Sequence, residues 1–195
     1  SEIIDFTIPF PDEASIENAI HCISTLLLLG YPVSRIPHPA SLLTPIAMRL
    51  ELKEAINHCS LINDSYNSDI NSLSIALDFL NQQHQQKKKT IILSDILQTG
   101  RDKDDLYGEI ASMLTSHHIS RIIGIGRDMV KHADKFPMQK SLFLTTDEFL
   151  RHFPVSSFQN EAILLKGARL FEFEKIGQLL QQKAHETVME INLDA

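Results

Sequence analysis

The chain has 195 residues, with 18 Lys+Arg against 25 Asp+Glu and a formal net charge of −7. That length allows one domain, or one domain with pieces of its neighbours, and a core that needs no staples. The acidic balance argues against nucleic-acid binding, which requires clustered Lys and Arg, and the longest apolar run, Leu26 to Leu29, is far too short to span a bilayer.

Ile3 to Pro9 reads as a strand. Ile16, Ala19, Ile20, Ile23, Leu26 and Leu27 then recur at helical spacing, with Asp12 as a candidate N-cap and Gly30 as the stop. Six of the eight prolines fall before residue 46, so Gly30 to Pro45 is expected to be a linker or irregular connection. One strand and one helix cannot close a core. With Ser1 in place of an initiator Met, they are read as the edge of a preceding domain. Cys22 and Cys59 lack metal or disulfide spacing and are expected to be small core residues in a reducing compartment.

From Arg49 onward the pattern is regular. Leu50 to Lys53 and Cys59 to Asn63 flank Asn57-His58 as a hairpin or two neighbouring strands. Helices are expected over Ser72 to Asn81, Asp104 to His117, Asp147 to His152 and Glu172 to Lys183. Strands are expected over Thr90 to Leu93, Arg121 to Gly126, Ser141 to Thr145 and Ala162 to Lys166. This alternation predicts an α/β, Rossmann-like, doubly wound and mostly parallel sheet. Asn81 to Lys89, with its Lys87-Lys88-Lys89 run, reads as an exposed loop. The tail from His185 to Ala195 favours a strand, either at a sheet edge or opening a further domain.

In open parallel sheets ligands gather at the carboxyl ends of the strands. That rule selects Asn63, Asp64, Ser65, Tyr66 and Asn67; Ser94, Asp95, Gln98, Thr99, Gly100 and Arg101; Arg127 and Asp128; and Lys166 to Arg169. A strand-end carboxylate such as Asp64 can accept both hydroxyls of a ribose; equally, Asp64 or Asn67 can simply turn the chain or cap the next helix. Lys166 and Arg169 suit phosphate or carboxylate, or a surface ion pair. Gly124-x-Gly126 lacks the rest of a dinucleotide fingerprint and reads as tight packing. No P-loop and no metal-ligand spacing occurs, and His117-His118 reads as a helix end. A phospho-receiver domain is disfavoured, because the third strand ends in Gly-Ile-Gly without a carboxylate.

These stretches resemble the Mur ligase family. Residues 63–77, N-D-S-Y-N-S-D-I-N-S-L-S-I-A-L, resemble the D-D-S-Y-N-A-N-P-x-S-M-x-A-A-L that opens its C-terminal domain. Ile91 to Gly100 resembles V-x-G-D-M-x-E-L-G, Arg121 to Gly126 resembles R-V-x-x-V-G, and Leu165 to Arg169 resembles V-K-G-S-R. Upstream, Met48-Arg-Leu-Glu51 resembles G-R-x-E, and Ser15 to Ala19 sits where the central domain carries H-N-x-x-N-A. The closest type joins D-alanyl-D-alanine to UDP-N-acetylmuramoyl-tripeptide. Glu186 to Ala195 further resembles the opening of an alanine racemase, which some bacteria fuse behind this ligase.

The resemblance implies a cytoplasmic, ATP- and Mg2+-dependent, amide-forming ligase of peptidoglycan synthesis, of which this chain is the closing part. Residues 1–47 would be the tail of the central ATPase domain, 48–184 the C-terminal domain, and 185–195 the start of a racemase-like domain, where PLP would belong. Asp64, Arg49 and Asn18 would bind ATP. Lys166, Arg169, Ser65, Tyr66 and Asn67 would face substrate or phosphate. No catalytic set is complete, no resident metal or tightly bound cofactor is expected, and the fragment would be inactive alone. Four positions depart from the family pattern: Ser94 for Gly, Ile96 for Met, Ala168 for Ser and Tyr107 for His. Ala14-Ser15 likewise replaces the H-N before Asn18. The alternative is a stand-alone Rossmann-like module that binds a nucleotide or anion without catalysis.

Overall fold

Residues 5–9, 13–43, 50–83, 86–97 and 100–181 are described by a computed structural model. The chain divides into two units, 1–47 and 48–195. In the first, helix α1 (Glu13–Leu28) ends where Gly30 adopts φ 79° and the Tyr31 N–H reaches back to the Leu26 carbonyl at 2.9 Å. The expected strand does not form over residues 5–9, which join no ladder among the described residues; Ile3, Ile4 and Asp12 lie outside them. The proline-rich stretch is not irregular throughout. Val33–Arg35 makes a 3-10 turn, and Pro37–Ser41 forms a short helix, α2, with Pro37 at its first position. Proline there sacrifices no helical hydrogen bond and pre-sets φ. Cys22 is exposed, against expectation, because α1 leaves most of its surface open: Ile16, Ile20 and Leu28 are exposed too, Leu28 by 88%. Cys59, in the second unit, is buried as expected.

The second unit is built on a six-stranded sheet in the order β1-β2-β6-β3-β4-β5. β1 (Glu51–Ala55) and β2 (Cys59–Asp64) form an antiparallel hairpin, turned by Asn57 and His58, both at positive φ. Every other pairing is parallel. The chain continues through α3 (Ile70–Gln82), β3 (Lys88–Ser94), α4 (Lys103–Ser116), β4 (Arg121–Ile125), α5 (Arg127–Lys131), β5 (Gln139–Phe143), α6 (Thr146–His152) and β6 (Glu161–Lys166). A 3-10 turn at Arg169–Phe171 leads into a final helix over 174–181. The tail from 182 lies outside the described residues.

Strand alternation sorts the core into two layers. Ile62, Ile91, Leu93, Ala162 and Leu164 face α3 and α4. Leu61, Ile92, Ile163 and Leu165 face α6 and the final helix, which contribute Phe149, Ile176 and Leu180. The doubly wound reading therefore holds. The Lys87–Lys89 run is not a loop in full. Lys88 and Lys89 begin β3, Lys88 pairs with Glu161, and Lys89 bonds Asn81. β5 starts two residues earlier than expected, because Arg121 pairs with Gln139 and carries the ladder into a polar edge segment.

Candidate functional site

β2 and β6 are neighbours, yet the helices that follow them cover opposite faces of the sheet: α3 lies in one core layer and the final helix in the other. Connections diverging in this way open a crevice at the carboxyl edge, the usual ligand position in open α/β sheets. The last ladder pair between these strands is Asp64 with Lys166.

Their side chains meet there. Lys166 Nζ lies 2.8 Å from Asp64 Oδ2 and donates to the Asn67 carbonyl at 2.6 Å. The Lys166 side chain is 1% exposed and that of Asp64 11%. Lys166 was expected to present its charge to an incoming ligand. In this arrangement the charge is spent inside the protein, neutralising Asp64 and anchoring the 64–69 loop. Asp64 keeps acceptor capacity, because a carboxylate has about four lone-pair sites and the lysine uses one oxygen.

The same ammonium acts on Asp69. Asp69 caps α3, accepting from the Ser72 N–H at 2.9 Å, while Ser72 Oγ accepts from the Asp69 N–H at 3.2 Å. Burial pushes the Asp69 carboxyl up, but the bonds from Ser72 and the nearby Lys166 charge outweigh it and hold the group below its ordinary value. Sequence reasoning missed Asp69. The signal was a capping-box spacing, Asp69-x-x-Ser72, obscured by starting the helix at Ser72. The cap is therefore neither Asp64 nor Asn67. Asn67 Nδ2 donates to Asp69 Oδ2 at 3.2 Å and supports the cap from outside. Ser65 is buried and donates to Asn63 Oδ1 at 2.6 Å, so it shapes the loop from within.

Arg169 is an exposed cation at the end of β6. It starts the 3-10 turn after β6, with its guanidinium carbon 6.0 Å from the centre of the Tyr66 ring. An acidic loop and a basic turn thus flank the crevice between β2 and β6.

Other strand-end candidates are committed to the fold. Asp95 caps the short α5, with Oδ1 accepting from Met129 N–H at 2.8 Å and Oδ2 from Asp128 N–H at 3.2 Å. Burial raises its carboxyl above the ordinary range despite those bonds. The Tyr107 hydroxyl donates to Asp95 Oδ1 at 3.3 Å, and burial followed by the Asp95 charge pushes that phenol up. Tyr107 also stacks on His132 with ring centres 4.8 Å apart. Asp128 pairs with Lys103, and Arg101 with Glu109. Arg127 is exposed. Gly124 and Gly126 do serve close packing: a Cβ on Gly124 would meet Met129 and Leu142 at 2.7 Å. His117 does close a helix, at the C-terminal cap of α4. Arg49, Gln98 and Thr99 lie outside the described residues. Asn18 is exposed on α1, in the other unit. Among the described residues, no group of three or more His, Cys, Asp or Glu is placed to hold a metal ion, and no helix is long and apolar enough to cross a membrane.

Residues 48–169, from ahead of β1 to the start of the 3-10 turn, match the family model described as Mur ligase, glutamate ligase domain. The chain belongs to the Mur ligase family. The matched stretch contains Asp64, Lys166 and Arg169. Two relatives named UDP-N-acetylmuramoyl-tripeptide–D-alanyl-D-alanine ligase are similar to it. The Bacillus subtilis protein is 24% identical over 88% of this chain and 38% of its own length. The Rickettsia prowazekii protein is 26% identical over 90% of this chain and 39% of its own length. The Mur ligase chain thus spans about two fifths of these relatives. Among solved structures, MurF from Acinetobacter baumannii superimposes with a TM-score of 0.72 at 22% identity, covering 91% of this chain and 40% of that one. MurF from Thermotoga maritima, in complex with ADP, gives 0.61 at 12% identity, covering 85% and 37%. These likenesses carry the Mur ligase fold.

Proposed function

We propose that this Mur ligase chain supplies the closing domain of an ATP-dependent ligase that joins D-alanyl-D-alanine to UDP-N-acetylmuramoyl-tripeptide. The observation that carries this reading is the Asp64–Lys166 pair at the β2/β6 crevice, inside the family-matched stretch, with Arg169 exposed beside it. ATP would phosphorylate the terminal carboxylate of the tripeptide. The dipeptide amine would then attack the acyl phosphate, and collapse of the tetrahedral intermediate would expel phosphate and leave the amide. Asp64 would accept the ribose hydroxyls through lone pairs the lysine leaves open. Arg49 and Asn18 would complete the nucleotide contacts, and Arg169, with Ser65, Tyr66 and Asn67 shaping the cleft, would orient developing negative charge. Lys166 would act by holding Asp64 and the 64–69 loop in place.

Mg2+ would neutralise phosphate charge, held by acidic residues of the central domain. Residues 1–47 would belong to the central ATPase domain, which fits the exposed apolar side chains of α1. Residues 185–195 would open an alanine racemase-like domain, where PLP would bind. The site of action would be the cytoplasm, where the UDP-linked precursor is made.

The test is phosphate release by the full native polypeptide with the tripeptide precursor and ATP. Release that depends on D-alanyl-D-alanine is expected, with none from this chain alone. Release indifferent to the dipeptide would overturn the reading. ATP titration of this chain would then decide for or against a nucleotide-binding module.

A further inference from the structure

The β3–β6 ladder ends at Leu93 with Lys166, so the next N–H groups of the 167–169 turn have no strand partner on β3. The Ala168 N–H is nonetheless satisfied. It donates at 3.0 Å to the Oγ of Ser94, the last residue of β3, and that hydroxyl donates onward to the Asp95 carbonyl at 3.1 Å. Ser94 is fully buried. A second hydroxyl, that of Thr146, bonds the Phe171 carbonyl at the other end of the same turn. Gly167 lies against the Phe173 ring, so close that a Cβ there would sit 2.5 Å from it. The turn that carries Arg169 is therefore pinned from outside its own strand, and Ser94 pins the residue immediately before Arg169.

We propose that Ser94 is a positioning residue: its hydroxyl fixes the Ala168 backbone and thereby holds the Arg169 guanidinium over Tyr66, at the mouth of the β2/β6 crevice. Arg169 is a long, exposed side chain with many rotamers, and only a fixed Cα position confines its head to one side of the crevice. The anion it would orient is the phosphate or carboxylate of the ligase reading, on which the kinetic part of this proposal rests.

The experiment compares Ser94→Ala with the parent protein by two readouts. The first is the upfield ring-current displacement of the Arg169 side-chain protons by Tyr66, with Tyr66→Leu as the zero point. Ser94→Ala is expected to remove at least half of that displacement, roughly the loss for a turn freed at one of two pins. An unchanged displacement in a folded Ser94→Ala protein overturns the proposal. The second readout is steady-state kinetics of the complete ligase, where kcat and kcat/KM should fall together about tenfold with KM nearly unchanged, as for a lost interaction with charge that develops in the transition state. A lost displacement with unaltered kinetics also overturns it. If the parent ligase shows no turnover, the ligase reading fails by itself, and the displacement alone decides the role of Ser94. Should Ser94→Ala not fold, Ser94→Cys keeps the volume with a weak acceptor and is judged by the same displacement.

Discussion

Asp95 and Gly126 occupy one another's space. A Cβ on Gly126 would lie 2.2 Å from the Asp95 Cγ, and Gly126 sits at φ 140°, ψ 164°, a region open essentially to glycine alone. The clash is with a short side chain that two backbone N–H groups and the Tyr107 hydroxyl hold still. Gly126→Ala should therefore destabilise the protein by about 3 kcal/mol or more, the sum of backbone strain and overpacking. In the Asp95→Ala background the steric part disappears. The two substitutions together should cost about 1–3 kcal/mol less than their sum. Urea denaturation of the four proteins measures this, and strict additivity would show that the carboxylate can move aside.

Two carboxylates should give the stability opposite pH slopes. Burial raises Asp95, so in the folded state it holds its proton more tightly than in the unfolded chain. Its contribution is full below the unfolded value near 3.9 and is lost as pH rises through the raised folded value. Asp69 is lowered, against burial, by the Ser72 bonds and the Lys166 charge. Its contribution is present above the unfolded value and lost as pH falls through the folded one. Asp95→Asn should remove a falling component of stability with pH, and Asp69→Asn a rising one while keeping a competent cap. Urea midpoints between about pH 3 and 7 would check both signs.

The local order of this fold was legible where one short-range signal dominates. Gly30 stops α1, Asn57-His58 turns a hairpin, and the apolar runs ending at Ser94, Ile125 and Lys166 are strands. What depends on distant pairing was not. β5 reaches back to Gln139 because Arg121 of β4 lies beside it, and neither Gln139 nor Lys140 has a strand-like pattern. Likewise Asp64 and Lys166 were each visible as strand ends, but their ion pair exists only because β6 inserts beside β2, across about a hundred residues of chain. The sequence leaves Lys166 open between a ligand and an ion pair, since a strand-end lysine looks alike whether it faces solvent or a neighbouring carboxylate. The proline-rich composition of Gly30 to Pro45 points to an irregular connection, yet Pro37 starts a helix within it, because proline costs nothing at a first helical position.

The opposite end of β6 should govern stability without touching the crevice. Arg121 Nη2 reaches both oxygens of Glu161, at 2.9 and 3.0 Å, and Glu161 also accepts from Thr90, the Gln159 N–H and Lys88. The guanidinium carbon lies 4.7 Å from the centre of the Phe158 ring. Glu161→Gln leaves Arg121 buried without its counter-ion, which should cost about 3–5 kcal/mol. Five residues of strand, roughly 17 Å, separate Glu161 from Lys166. ATP affinity of the complete protein should accordingly stay within about twofold at temperatures where the variant is folded. A large drop in the urea midpoint with unchanged affinity is the expected pair of results.

Asp64 and Lys166 should respond unequally to removal of the partner. Asp64→Asn removes the directly bonded counter-ion of a lysine whose side chain is 1% exposed, leaving it the Asn67 carbonyl and the more distant Asp69 charge. Lys166→Met strands a carboxylate that is 11% exposed at the crevice mouth and can draw water. The first change should cost about 3–5 kcal/mol and the second less, because desolvation of the orphaned charge sets the penalty. The Asp64→Asn/Lys166→Met double variant buries no unpaired charge and should recover about 1–3 kcal/mol relative to the sum. Denaturation of the four proteins measures all three quantities. Equal single costs would mean that water reaches Lys166 as readily as Asp64, and the lysine would then be available to a ligand as well as to the aspartate. The expected inequality instead leaves Arg169, of the two cations that end β6, as the one open to an anionic ligand.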